Sequence, residues 1–350
     1  MSTLTCRIRR TAALAVALAA GSTLAATGTA TAAHPDRHTG PVASAPVTAG
    51  LYQSAYSARN HVLWATSAVG RPPVTTSGLL KLDPHTLKVR AAYRPPVTDQ
   101  QTGAVEAVYG VAVDDEHDTV WTTNTRDDSV AVYSQRNGKH LATLPDVAHA
   151  REVVVDERHD TAWAGGFGDG SLVAFDTRTY QEKRRVTVEG SSPAGLAVNE
   201  RTGTVYAADL DGDRIIAVPP HKEPQSVPAG DGPISVALSR DGRTAYTANQ
   251  AAGSVSVVNL RRGRVTRSVP TGEGTLSVAA DPRTGRVVAA NRTAGTVTVL
   301  DPRRGTVVRT VATGPHPNHV RVAHGSVYAV DKSHAGPGGE DLVHRFRLRR

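Results

Sequence analysis

Six residues of this 350-residue chain are of types that do chemistry and sit close together in two short stretches: His149, Arg151 and Glu152 in DVAHAREVVVD, and His316, His319 and Arg321 in PHPNHVRVA. A carboxylate beside an imidazole can pass a proton. Guanidinium groups grip carboxylates and phosphates through paired N–H donors. The set would suit the binding of an anion or general acid–base work on one, provided the chain brings the two stretches together. No HExxH, Gly-x-Ser-x-Gly or phosphate-cradling glycine loop accompanies them, so the sequence predicts neither a metal nor a cofactor.

What could position them is a repeat. AYTANQAAGSVSVVNL, starting at Ala245, is nearly restated as VVAANRTAGTVTVLD from Val287. With the aromatic of AYTAN as marker, the position recurs as Trp64, Trp121, Trp163, Tyr206, Tyr246, Val288 and Tyr328, at steps of 40–43 residues after a first step of 57, about the length of a four-stranded propeller blade. Within each copy apolar residues alternate with Ser and Thr, the period of a strand. Turn pairs such as Asp241-Gly242 and Thr284-Gly285 separate the runs. The expected fold is all-β, a seven-bladed β-propeller with four-stranded blades. The last copy ends on its third strand, LVHRFRL, so a strand at about residues 42–49 should complete it and close the ring, which removes an exposed edge.

Residues 1–33 read as a secretory signal. Arg7, Arg9 and Arg10 precede an Ala/Leu/Val run too short for a membrane span, with cleavage expected near Ala32 or Ala33. Residues 34–350 would then form one propeller domain, secreted or otherwise extracytoplasmic and not stably inserted in a membrane. The single cysteine, Cys6, falls in the signal, leaving no disulfide and no thiolate ligand. The formal charge of +8 drops with the three arginines to a mildly basic balance, short of a nucleic-acid-binding extreme.

Aligned on the markers, the tetrapeptides read WTTN at 121–124, YTAN at 246–249 and VAAN at 288–291, with YAAD and YAVD elsewhere. This resembles the YVTN-repeat family of bacterial secreted and periplasmic seven-bladed propellers. The resemblance implies the same fold over the whole mature chain. It also implies single-stranded DNA as a partner, since one periplasmic branch is associated with it, while related propellers include lactonases and lyases.

The copies provide an internal control: what recurs is scaffold, and what departs is a candidate site. The markers and Asn124, Asn249 and Asn291 recur, and so read as core and turn residues. His117 and His159 sit one repeat apart beside Asp118 and Asp160, in the slot where another copy has Gly203, and read as turn residues. Asp209, Asp211 and Asp213 lack the spacing of a calcium loop and read as a hairpin turn. The residue opening the innermost strand is Ser54, Gly110, Gly195, Ser235 or Ser277 in five copies, but Glu152 in the third and His319 in the seventh. Arg321 likewise replaces an alanine. These large polar residues are expected at the mouth of the central channel, with His149, Arg151 and His316 beside them.

Length departures agree. VGRPPVTTSG in the first copy, RPPVTDQQTGAVEA joining it to the second, and DKSHAGPGGED in the seventh would gather on one face and bring Arg71, Lys332 and His334 to the rim. The function expected is a binding or interaction scaffold using that face and mouth for an anionic small molecule, a peptide, or another protein or polymer of the cell envelope. The alternatives are a lyase or lactonase using Glu152 with His149 or His319, and a single-strand DNA binder.

Overall fold

The computed structural model describes residues 42–348, and the expected signal at 1–33 lies outside them. There are seven antiparallel sheets of four strands, six built in sequence order from the innermost strand outward and the seventh so built for three strands, its outermost strand coming from the amino-terminal side of the chain. The innermost strands are Leu51–Ser57, Val108–Asp114, Ala150–Asp156, Pro193–Asn199, Pro233–Leu238, Thr275–Ala280 and Pro317–Ala323. Each touches the next, and the last touches the first, so the blades form a ring. Among the described residues there is no α-helix and no helix long and apolar enough to cross a membrane.

The alternating pattern produces this because each blade is apolar on both faces and must bury them against its neighbours. The second blade's Trp121, Val130 and Val132 share a core with the third blade's Val153, Ala164, Val173 and Phe175. Trp64 and Leu79 of the first blade likewise pack against Val111, Val120 and Tyr133 of the second. Six of the seven markers are buried and Tyr206 is half-buried. The recurrent asparagines bond across the following turn: Asn124 Nδ2 donates to Ser129 Oγ, Asn249 Nδ2 to Ser254 Oγ and Asn291 Nδ2 to Thr296 Oγ1. Asp118, Asp160 and Gly203 share a positive φ of 58°, 46° and 67°, the conformation their common turn slot requires.

Ala43–Thr48 completes the seventh blade, pairing antiparallel with Asp341–Arg347. Two buried groups reinforce the seam. The Asp341 carboxylate accepts the Leu51 N–H at 2.9 Å. His344 lies between Ser44 Oγ, 2.7 Å from its Nδ1, and the Asp331 carboxylate, 3.5 Å from its Nε2. Deleting residues 34–50 would bare the edge of Asp341–Arg347 and uncover the apolar contacts of Ala45 and Val47. The expected loss of about 4 kcal/mol lowers the melting temperature by roughly 6 °C. Equal melting curves for the full and trimmed chains would show that the strand does not close the ring.

Candidate functional site

In the first blade the residue at the site position is one earlier than the Ser54 expected. Ala55 pairs with Trp64 as Ala112 pairs with Trp121, so the counterpart of Gly110, Glu152 and His319 is Gln53, and Ser54 corresponds to Val111. The small residue expected to open that strand is therefore a third large polar one. Its role is specific. Ser235 Oγ accepts the Val278 N–H, Ser277 Oγ the Val320 N–H, His319 Nδ1 the Ser54 N–H and Gln53 Oε1 the Val111 N–H, at 3.2–3.3 Å. Four blade junctions thus use one bond, from the side chain at this slot to the backbone of the next blade. His319 and Gln53 are partly scaffold.

Gly110 cannot make this bond, and its smallness has another effect. A Cβ there would fall 2.6 Å from Thr123 Oγ1 and 2.8 Å from the Arg151 carbonyl oxygen, so the second and third blades approach closely. Across that gap Gln53 Nε2 donates to Glu152 Oε2 at 3.3 Å. One side chain therefore ties the first blade to the second through its oxygen and to the third through its nitrogen.

These residues wall a cavity of about 210 Å³ at the start of the innermost strands. His149, Arg151, Glu152 and His319, all expected at the mouth, line it together with Tyr52, Gln53, Tyr109, Arg126 and Asn318. Arg321 lies two residues beyond His319 on the same strand, solvent-exposed although protein surrounds it, as a side chain in a wet channel would be. Burial pushes the Glu152 carboxyl up to about 7, against the pull of Arg151, the Gln53 hydrogen bond and Arg321. Burial, with Arg321 nearby, pulls His319 down to about 3, so its ring is neutral at physiological pH and its Nδ1 remains an acceptor. His149 is also lowered, by burial and then by Arg126 and Arg151, and stacks at a tilt on Phe167, 5.7 Å between ring centres.

Tyr52 is the hub of the rim. It meets Tyr109 edge-on at 4.3 Å, and Lys332 Nζ sits 3.4 Å from its ring centre. Asn318 Nδ2 donates to the Tyr52 carbonyl at 2.8 Å, and Asn318 Oδ1 accepts from the Arg292 guanidinium. Burial raises the Tyr52 phenol, and Arg126, Arg292 and Arg151 pull against it. Burial lowers Lys332 to about 8 despite Asp341. Two elaborations of the first blade support this wall: Val74 and Ala107 pack with Tyr109 and Tyr52, and the Val105 N–H donates to the Val74 carbonyl at 2.9 Å.

The remaining expected residues lie outside the cavity. His316 is exposed, engaged through its backbone with Asp331 and Lys332. His334 folds onto its own loop, with Nδ1 3.2 Å from the Gly339 carbonyl oxygen and 3.3 Å from Asp341. Arg71 is exposed on the turn before Pro72. Glu116, His117 and Asp160 do converge within ligand-sharing distance elsewhere. Arg178 already engages two of the three, with Nε 3.2 Å from His117 Nε2 and Nη2 3.1 Å from Asp160. At the Asp209 turn Arg214 Nε holds the Asp209 carboxylate at 2.7 Å.

A scan against protein-family models finds no match to this chain, and a search of curated proteins finds none either. Among solved structures the chain is similar to selenomethionine-substituted virginiamycin B lyase from Staphylococcus aureus, at TM-score 0.70 and 12% identity over 88% of this chain and 99% of that one. It is similar in the same degree to a streptogramin B lyase, covering 98% of that chain. At this identity the likeness establishes the seven-bladed fold.

Proposed function

We propose that the protein is an exported propeller of YVTN type that binds a small anionic ligand, with a carboxylate as the recognised group, at the mouth of its central channel. One observation carries the reading: Arg126 and Arg151 line a cavity with a single carboxylate, that of Glu152, while Arg292, Arg321 and Lys332 stand around it. Glu152 accepts a proton near neutrality, so an anion can enter without facing a buried negative charge. Arg151 is the one arginine that both lines the cavity and acts on Glu152 and Tyr52. Titrating the full chain with small di- and tricarboxylates by calorimetry tests the proposal. Arg151→Met is expected to weaken the tightest ligand by about thirtyfold, the worth of a charge-assisted bond of roughly 2 kcal/mol. Equal affinities for the variant and the parent protein would refute it.

The second reading is a lyase, favoured by the same Glu152, whose position near 7 suits a general acid or base, and by the fold shared with lyases. The two separate in one variant: Glu152→Gln abolishes turnover of an eliminated substrate in a lyase but retains or tightens ligand binding in a receptor.

A further inference from the structure

A second cavity is larger than the channel mouth. A groove of about 820 Å³ runs between the fifth and sixth blades and is lined by Arg201, Arg240, Arg267, Arg283 and Arg303. It lies at the opposite end of the innermost strands. Its walls are the turns after Pro233–Leu238 and Thr275–Ala280, whereas the channel mouth is built from residues at the starts of such strands.

All five arginines are exposed and none is in an ion pair, although Arg90, Arg178, Arg185, Arg214 and Arg286 elsewhere all are. The two carboxylates in the wall are occupied within their own turns. Asp241 Oδ1 accepts from Ser239 Oγ at 2.7 Å and from the Arg243 N–H at 3.1 Å. Asp281 is buried and accepts from Thr284 Oγ1 at 2.6 Å and from the Arg283 N–H at 3.2 Å. Arg201 donates to the Asp241 carbonyl, which holds that turn while leaving its own charge uncompensated. Like charges so concentrated repel each other, and a bound polyanion would relieve the repulsion.

We propose that this groove binds a linear polyanion of closely spaced phosphate groups that carries no nucleobases. Guanidinium groups on the turns of three successive blades suit phosphates repeated along a chain. The aromatic of the groove argues against bases: Tyr246 is 7% exposed and offers no face for stacking. The site is separate from the channel mouth and does not depend on the carboxylate-binding reading.

The test uses the full chain with fluorescently labelled inorganic polyphosphate. Binding should weaken with salt at a log–log slope of about three. The variant Arg240→Gln/Arg283→Gln/Arg303→Gln should lose at least tenfold in affinity with an unchanged melting temperature, and the corresponding triple lysine variant should recover most of it. Arg151→Met should bind polyphosphate like the parent protein. The proposal is overturned if the parent protein fails to bind polyphosphate, if the glutamine variant binds as well as the parent, or if an oligothymidylate of equal charge binds as tightly.

Discussion

Trp121→Ala is expected to destabilise the protein by about 3–5 kcal/mol, the cost of emptying a large aromatic site in a close-packed core. Trp121 is completely buried. Its Nε1 donates to Thr119 Oγ1 at 3.1 Å, and its ring meets Tyr180 edge-on at 5.8 Å and Phe175 at a tilt, 6.5 Å between centres. Phe175 and Tyr180 belong to the third blade's outer half, so the indole fills the wedge between two blades and cannot be replaced by collapse of one. Thermal unfolding should shift down by roughly 5–8 °C. A small shift accompanied by lost binding to single-stranded DNA would instead make Trp121 a stacking platform and contradict its assignment as scaffold.

The second large effect concerns Glu152 and is read against pH. Its carboxyl is raised to about 7, above the usual range, so its protonated form is the one the folded state favours. The resulting stability is fully present below the ordinary carboxylate pKa and is lost as pH rises through about 7. Glu152→Gln keeps the shape, can still face Gln53, and never acquires the charge. It should therefore match the parent protein at pH 4 and exceed it at pH 8 by about 1 kcal/mol, a value reduced for the water that reaches the channel. For ligand binding the effect is larger: if an anion binds only the protonated form, affinity falls about tenfold for each pH unit above 7. The variant should bind evenly from pH 6 to 7.5, with a decline above pH 8 as Lys332 loses its proton.

The architecture was legible because a repeat exposes its own rules. The Trp and Tyr markers, the V-x-V strands and the unpaired third strand of the last copy each call for a blade, and the ring follows from stacking them. The same rules singled out Glu152, His319 and Arg321 as misfits, and the structure gathers them in one channel. Gln53 was within reach of the sequence: it precedes Trp64 by the same eleven residues that separate Gly110 from Trp121 and Glu152 from Trp163, and the expected position, Ser54, is one residue too late. Tyr52 meets Tyr109 because the first and second blades are neighbours, and ring closure, which sets the first blade beside the seventh, brings Lys332 and Asn318 to Tyr52; neither contact follows from the repeat alone. His316 and His334 lay in the right loops, but local hydrogen bonds direct those loops, and sequence distance does not encode direction.

The central claim is that a small carboxylate enters a cationic channel mouth whose one acid takes up a proton to admit it. The most direct measurement is the number of protons absorbed per ligand bound at pH 7.5, from calorimetry in buffers of different ionisation enthalpy. Uptake approaching one proton is expected in the parent protein, and in Glu152→Gln only the small fraction that Lys332 takes up. Binding with no proton uptake by the parent protein, or equal uptake by both, would contradict it.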